Sequence, residues 1–577
     1  MVDPTSRIQL TICYASFFES IPQLLRTHAF EDKSPFIYFY VLPAGFEPTT
    51  TVPKTVVISI SPREQWSHNT SVYGFNKGKH KSLCYNIAMK YNWSLPKELN
   101  NTTDQLRSHG FDAYIVGGCV RDLLLNKQPN DWDITTNATP EQIQSIFDKT
   151  FYENEYGTVG VETDSVNSTL KIIEITPYRI ESSYSDNRRP DKVEFSSHIE
   201  DDLKRRDFTI NALAYDPYKG QLIDLYKGQK DLHGHLIRAV GNPKERFEED
   251  GLRILRAIRF YSQLGFQIEE QTEKALKETA YLLKNITKER IRDEFSKIIQ
   301  SNNPAKGLEK ARELGILKQI IPELEEGYGI EQNKAHSFDV WTHLLKSCQC
   351  AADKNYPFHV RLTALFHDIS KPATRRWSEE KKEWTFYGHE VVGSRVTKKI
   401  LQELKFPKEI IEIVSKLVRW HMFFSDTEQI TLSAVRRMIS NVGKENVWEL
   451  MNVRICDRVG TGRPKENPYS LRKYKAMIEE ALKDPISVGM LAINGNDLIK
   501  DLNISPGPKI GFILHALLEQ VLDNPKLNTK EFLMKQAGEF LKLNDSELER
   551  IGKEGKEKKD DEEQKTVDEI RKKYWVK

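Results

Sequence analysis

Gly117-Gly118-Cys119-Val120-Arg121-Asp122, followed by Asp131-Trp132-Asp133, is the stretch from which the remainder of the chain can be read. Carboxylates at i and i+2 of an extended segment project from the same face, where their hard oxygens can hold divalent cations. A Gly-Gly turn opening into a helical segment, Cys119 to Asn126, places free backbone N–H groups and a positive helix end where a triphosphate would lie. Arg121 adds a charged donor one turn in. Metal ligands, phosphate donors and an arginine in one short stretch describe nucleotidyl transfer.

The bulk numbers set the frame. At 577 residues the chain exceeds one hydrophobic core and should hold several domains. Its 85 Lys and Arg nearly balance 83 Asp and Glu, so a surface for nucleic acid has to be local. Hydrophobic content of 39% and a mean hydropathy of −0.56 describe a soluble globular chain. No apolar run approaches the roughly 18–20 residues of a membrane span. The six cysteines lack C-x-x-C spacing, which argues against a zinc ribbon or disulfide framework and suits a reducing cytoplasm. The N-terminus has polar and charged residues where the apolar core of an export signal would be.

Residues 1–88 show no sustained period, and Leu42 to Pro53 alternates prolines with short β-like runs; we expect an N-terminal extension, with Met89 as the functional start. Beyond it the pattern predicts a helix from Pro96 to His109 and strands at 113–116, 132–135, 158–162, 171–176, 210–215 and 222–224. This is an α+β head over 89–242 with a mixed sheet. From Pro243 onward nearly every segment has helical periodicity, with short loops marked by Pro304, Pro322, Pro372 and Pro407. We divide that all-helical part into a neck (243–325), a second domain (326–465) and a tail (466–547), then a mixed-charge end (548–577).

Three further clusters extend the opening motif. Glu174 alternates with apolar neighbours in Lys171-Ile-Ile-Glu-Ile-Thr-Pro-Tyr-Arg179, so it faces one side of a strand and could join Asp131 and Asp133 in a two-cation site. In Asp202-Leu-Lys-Arg-Arg-Asp-Phe-Thr-Ile-Asn211, Arg205 and Arg206 could bind a triphosphate, since guanidinium matches phosphate oxygens bidentately. Asp207 could orient an arginine, and Asn211 could donate to a phosphate or sugar. In Glu249 to Phe260, Asp250, Arg253, Arg256 and Arg259 recur every third residue along an expected helix. There Asp250 and Arg253 offer acceptor and donor side by side, matching the edge of a nucleobase, and Arg256 and Arg259 add positive potential.

Taken in order, these blocks resemble the class II tRNA nucleotidyltransferases, the bacterial CCA-adding enzymes, which share a superfamily with bacterial poly(A) polymerases. The resemblance runs from residue 113 to about 330. It includes Asp224-Leu-Tyr-Lys-Gly228, Asp231-Leu232 and Ile237-Arg-Ala-Val-Gly-Asn-Pro243, which are similar to the segment leading into the family's neck. It implies catalysis by Asp131, Asp133 and Glu174 with Mg²⁺. It implies nucleotide binding by Gly118, Arg121, Arg206, Asn211, Asp250, Arg253, Arg256 and Arg259, with CTP and ATP as substrates. The tRNA 3′ end would be extended and the tRNA elbow gripped by basic helices, among them Lys-rich positions after Lys405. The segment Tyr184–Val193 is similar to one that helps the family switch from C to A, which disfavours a CC-only enzyme. A poly(A) polymerase or A-adding enzyme is the alternative within the family.

The helical part carries a second constellation: His343, the pair His367-Asp368, His421 and Asp457, with His336 and His389 nearby in the pattern. Imidazoles and carboxylates from different helices suit divalent transition metals, and the set looks like an HD phosphohydrolase domain. A metal-dependent HD phosphohydrolase with an RNA-binding head is the alternative from another class.

Overall fold

The computed structural model describes residues 91–543 apart from 154–156, 183–191, 334–335, 423–429 and 464. Outside that range it describes four strands, Phe36–Tyr40, Thr55–Ser59, Val72–Phe75 and Leu83–Tyr85, together with residues 546, 547 and 550. Most of the proposed extension, the switching segment and the charged end therefore lie outside the described residues. The chain divides into two compact units, Met1–Thr103 with Tyr215–Ile223, and Asp104–Ala214 with Asp224–Lys577.

In the first unit the four early strands pair antiparallel in sequence order. Trp93 packs against both Tyr91 and Tyr215, and the Tyr215 hydroxyl donates to the Tyr91 carbonyl at 2.7 Å.

The second unit holds the opening motif. Its first elements are β1 (Tyr114–Val116), α1 (Gly118–Leu124), β2 (Asp133–Thr136), β3 (Thr150–Tyr152), β4 (Val159–Glu162) and β5 (Ile172–Pro177). The strands pair in the order β1-β2-β5-β4-β3. Only β2 and β5 run parallel, and their register sets Asp133 opposite Glu174. Ile134, Ile173 and Ile175 are fully buried and lock this pairing, because a one-residue slip would turn them out of the core. The mixed sheet expected of the head is present. Gly117 joins β1 to α1 at φ +84°, and a Cβ there would stand 2.9 Å from Arg206 Nη1, so both the backbone and the close approach demand glycine.

The region expected as one strand, 210–215, is instead a 3₁₀ turn, Thr209–Asn211, followed by a strand from Ala214. Side chains decide this: Thr209 donates to Asp231 at 2.7 Å and the Asn211 amide to Asp207 at 3.2 Å, contacts available in a turn.

A short helix, α2 (Ile199–Lys204), precedes that turn. After the strands Ala214–Asp216 and Gln221–Ile223 the described residues are helical, as expected, apart from two small strand pairs, at 236–237 with 267–268 and at 376–378 with 383–385. The span 249–260 is not one helix. It splits into α3 (Pro243–Glu249) and α4 (Leu252–Leu264), with Asp250 extended between them. The Asp250 carboxylate accepts from the Leu252 N–H at 3.0 Å and so starts α4, while Gly265 in the left-handed conformation ends it. The next helix in contact with α4 is α5 (Lys288–Ile299).

The second constellation is carried by α6 (Val340–Asp353), α7 (Phe358–Phe366), α8 (His389–Glu403), α9 (Lys408–Trp420) and α10 (Val447–Gly460). A Cβ on Gly460 would overlap Ser347 Oγ, so glycine is what lets α10 press against α6. The helices from Leu432 to Phe540 share a further core that includes Leu450, Tyr474, Leu517 and Val521. The prolines read as loop markers open helices: Pro304 and Pro322 occupy first turns, where a missing N–H costs nothing.

Arg361 of α7 shows how the helices are tied. Its guanidinium donates to the carbonyls of Ile299, Gln300 and Ser301 at 3.0–3.2 Å, and to that of Tyr356 at 3.0 Å, closing the C-terminal end of α5. Arg361→Met leaves several buried carbonyls without a donor, at roughly 1–3 kcal/mol for each one left unpaired. A lower thermal midpoint checks this; an unchanged midpoint contradicts it.

Candidate active site

One cleft of about 920 Å³ gathers the head motifs and the neck. Gly117, Gly118, Arg121, Asp131, Asp133, Arg206, Asn211, Asp250, Arg253, Arg256 and Arg259 all line it. So do Arg179, Arg205, Phe260, Arg290 and Lys297, which makes the wall strongly basic. Glu174 is half-buried beside Asp133 and is not part of the wall.

The acidic pole comes from β2. Asp133 begins the strand, while Asp131 lies in the bend before it rather than on the strand itself. Burial and the neighbouring Asp131 raise the Asp133 carboxyl to about 6, against the pull of Arg206. Burial, Asp133, Glu153 and Asp131 raise Glu174 to about 7. Carboxyls that crowd one another in this way are a ready place for a hard cation, whose charge relieves the repulsion. Asp131 and Asp133 therefore fit a divalent cation.

The basic pole is held from behind by buried carboxylates. Asp202 is fully buried within α2, and each of its oxygens serves one arginine. Oδ1 accepts from Arg205 Nε at 3.0 Å, and Oδ2 accepts from Arg206 Nη2 at 3.0 Å and Nε at 3.2 Å. Burial opposes the Asp202 charge, yet the two guanidinium groups hold its carboxyl below the usual range. Asp207 accepts from Arg256 Nε at 2.7 Å, so it does orient an arginine. Asn211 bridges two motifs: its amide donates to Asp207 at 3.2 Å and its carbonyl accepts from Arg121 Nη1 at 2.8 Å, so it positions Arg121 at the cleft wall.

The neck residues differ in what they face. Arg253 is buried; its Nη1 donates to the Arg246 carbonyl at 3.0 Å and to Glu249, and its Nη2 to the Arg205 carbonyl at 2.9 Å. Asp250 pairs with Arg290 of α5 at 2.8 Å rather than with Arg253. Arg259 turns toward α5 and pairs with Glu294 at 2.9 Å. Phe260 carries three guanidinium groups near its ring, Arg259 at 4.5 Å, Arg121 at 5.3 Å and Arg256 at 5.7 Å. Arg179, Asp202, Phe260, Arg290 and Lys297 are members of this site that spacing alone did not single out.

The second constellation also assembles. His343, His367, Asp368 and Asp457 bring one ligand atom each within 4.8 Å of one another, and so do Asp368, His389 and His421. Asp368 serves both groups: Oδ2 lies 3.1 Å from His343 Nε2, and Oδ1 lies 3.1 Å from His389 Nε2 and 3.4 Å from His421 Nε2. His389 thus belongs with the ligand set, whereas His336 lies outside both groups. Burial holds His421 down at about 4, leaving a neutral imidazole; His367, in spite of its burial, is raised to about 10 by Asp368 and Asp457. A cation there would displace that proton.

Asp207 yields a prediction with a definite sign. Burial works against its charge, but Arg256 and Asn211 hold its carboxyl down to about 2, below the ordinary 3.8. A depressed folded-state pKa contributes stability that is complete above the unfolded value and disappears as pH falls toward the folded one. Asp207→Asn should therefore lower the free energy of unfolding at pH 7 by roughly 2 kcal/mol. The gap to the unaltered protein should narrow between about pH 4 and 2; a gap that stays constant with pH contradicts the pairing.

Three family models match the chain: Poly A polymerase head domain over residues 113–238, the probable RNA and SrmB-binding site of polymerase A over 265–327, and a putative tRNA nucleotidyltransferase domain 2 over 375–537. The CCA-adding enzyme of Ligilactobacillus salivarius (strain UCC118) is 34% identical over 439 residues, 76% of this chain and 95% of that protein. The CCA-adding enzyme of Enterococcus faecalis (strain ATCC 700802 / V583) is 34% identical over 443 residues, 76% and 94% of the two chains. Among solved structures, the Bacillus stearothermophilus CCA-adding enzyme in complex with CTP is 28% identical. It covers 78% of this chain and 98% of its own, with a TM-score of 0.57. The order of the motifs, the cleft that collects them and these relatives agree: the chain belongs to the CCA-adding enzymes, a family of tRNA nucleotidyltransferases.

Proposed function

We propose that the chain rebuilds the 3′ end of tRNA, adding C, C and A from CTP and ATP without a nucleic-acid template. The observation that carries this reading is the single cleft with Asp131 and Asp133 at one pole and Asp250 and Arg253 on the same wall. The tRNA 3′-hydroxyl oxygen attacks the α-phosphorus of the bound nucleotide; a P–O bond forms, the bond to the β-phosphate oxygen breaks, and pyrophosphate leaves. Mg²⁺ held by Asp131 and Asp133, with Glu174 behind Asp133, would supply charge neutralisation at the reacting phosphate and acidify the attacking hydroxyl.

The chain's own residues do the remaining work. Arg206 and Arg121, fixed by Asp202 and Asn211, receive the triphosphate, and Gly118 lines the same space. Because α1 has only seven residues, its dipole adds a fraction of what the guanidinium groups contribute. Arg256 adds positive potential toward the sugar and phosphates from its perch on Asp207. Asp250 and Arg253 meet the base: a carboxylate accepts from an exocyclic amino group and a guanidinium donates to ring acceptors. Arg259, paired inward with Glu294, supports α4 instead. Basic helices of the neck and tail would grip the tRNA through phosphates and shape. No described helix is long and apolar enough to cross a membrane, and Cys119, Cys348, Cys350 and Cys456 are all free and buried. We place the enzyme in the cytoplasm, where such thiols stay reduced and tRNA is available.

The ligand groups around Asp368 favour a second activity. We assign His343, His367, Asp368, His389, His421 and Asp457 to one or two divalent transition metals in an HD-type phosphohydrolase centre. Lys371, 2.6 Å from Asp368, and Arg454, paired with Asp457, balance the charge of its carboxylates.

The two activities are separable. Asp131→Ala should reduce nucleotide addition at least roughly a thousandfold and leave metal-dependent phosphoester hydrolysis unchanged, while His367→Ala should do the reverse. If Asp131→Ala leaves nucleotide addition intact, the catalytic assignment is wrong; if His367→Ala leaves bound metal and hydrolysis intact, the second site is wrong.

A further inference from the structure

We propose that Arg290 determines base selection as a positioning residue, by holding the Asp250 carboxylate in its reading orientation. The proposal rests on the reading that Asp250 meets the base. Asp250 stands in the break between α3 and α4 with an extended backbone, and its carbonyl accepts from the Arg253 N–H at 3.0 Å. Two contacts fix its carboxylate. The Leu252 N–H donates to Oδ1 at 3.0 Å, and Arg290 donates from Nη2 to Oδ2 at 2.8 Å and, at a longer 3.4 Å, from Nη1 to Oδ1. Both Asp250 and Arg290 line the cleft, and the Arg290 side chain is 35% exposed there.

The chemistry follows from what a carboxylate can do. It only accepts hydrogen bonds, so it favours a base that presents an amino group, as cytosine and adenine do. It disfavours uracil and guanine, which present a carbonyl oxygen at the corresponding position. That selection holds only while the carboxylate is kept from swinging away, and a rigid guanidinium fork is suited to keeping it there. Arg253, three residues along, does not supply the restraint, because its recorded bonds go to Glu249 and to the carbonyls of Arg246 and Arg205. The helix that carries Arg290 is itself anchored: Glu294, one turn along α5, holds Arg259 of α4, and Arg361 closes the far end of α5.

The test measures kcat and KM for CTP, ATP, UTP and GTP on tRNA lacking its terminal nucleotides. It uses the unaltered enzyme, Arg290→Ala, Arg290→Lys, Asp250→Asn and the double variant Arg290→Ala/Asp250→Asn. Arg290→Ala should raise KM for CTP and ATP roughly tenfold with a smaller change in kcat, and lower discrimination against UTP and GTP by about tenfold. Arg290→Lys, which keeps the charge and loses the fork, should fall between. In the Asp250→Asn background Arg290→Ala should add less than about a twofold further effect, since it acts through Asp250. Equal losses for all four nucleotides, or effects that multiply in the double variant, would overturn the proposal. Should Arg290→Ala not fold, Arg290→Gln reads the same quantities. If Asp250→Asn leaves selection unchanged, the reading of Asp250 fails; if Asp250→Asn relaxes selection and Arg290→Ala does not, only the role of Arg290 fails.

Discussion

Asp202 carries a full negative charge in a place with no access to water, and the cleft depends on it. Arginines gathered around one cavity repel one another and, left alone, would spread toward solvent. Asp202 gives one oxygen to Arg205 and the other to Arg206, which sets both guanidinium groups at a fixed spacing beside the glycine turn. The same device recurs along the wall, with Asp207 behind Arg256, Glu249 behind Arg253 and Glu294 behind Arg259. Burying such charges carries a desolvation cost that their attraction only partly recovers. What the arrangement secures is preorganisation: the positive groups already point where a triphosphate's charge arrives, so little reorganisation is left for the moment of reaction.

These pairs also weld the motifs into one object. Asn211 joins Arg121 of α1 to Asp207, Asp207 joins Arg256 of α4, and Arg253 of α4 reaches back to the carbonyl of Arg205. A chain of hydrogen bonds thus runs from the phosphate end of the cleft to its base-reading end.

The chemistry-bearing residues were largely legible because their spacing reports local geometry. Asp131-x-Asp133, the glycine pair, Arg205-Arg206 and the three-residue rhythm of arginines all reach the cleft, and the mixed sheet and helical body follow from hydrophobic period. What spacing could not convey was pairing over distance. Nothing near Asp250 in sequence indicates that its partner is Arg290, forty residues on, or that Gly251 and the Asp250 side chain break a helix that reads as continuous. Arg253 and Arg259 read as residues displayed on a helix face, yet both are buried, because Glu249 and Glu294 satisfy them inside. Asn211 reads as a ligand donor, and its spacing does not show that it is also a strut between Arg121 and Asp207. His389 needed the three-dimensional arrangement to show that Asp368 offers it a second carboxylate oxygen.

In the proposed reaction a protein wall, with no complementary strand, chooses C twice and then A. The most direct test offers the enzyme a tRNA that ends just before its terminal CCA, with single labelled nucleotides. The expected result is that CTP alone is added twice and stops, and that ATP is added once, only after both C residues are in place. Addition of ATP alone, repeatedly and to any RNA end, would contradict the account and identify a poly(A) polymerase instead.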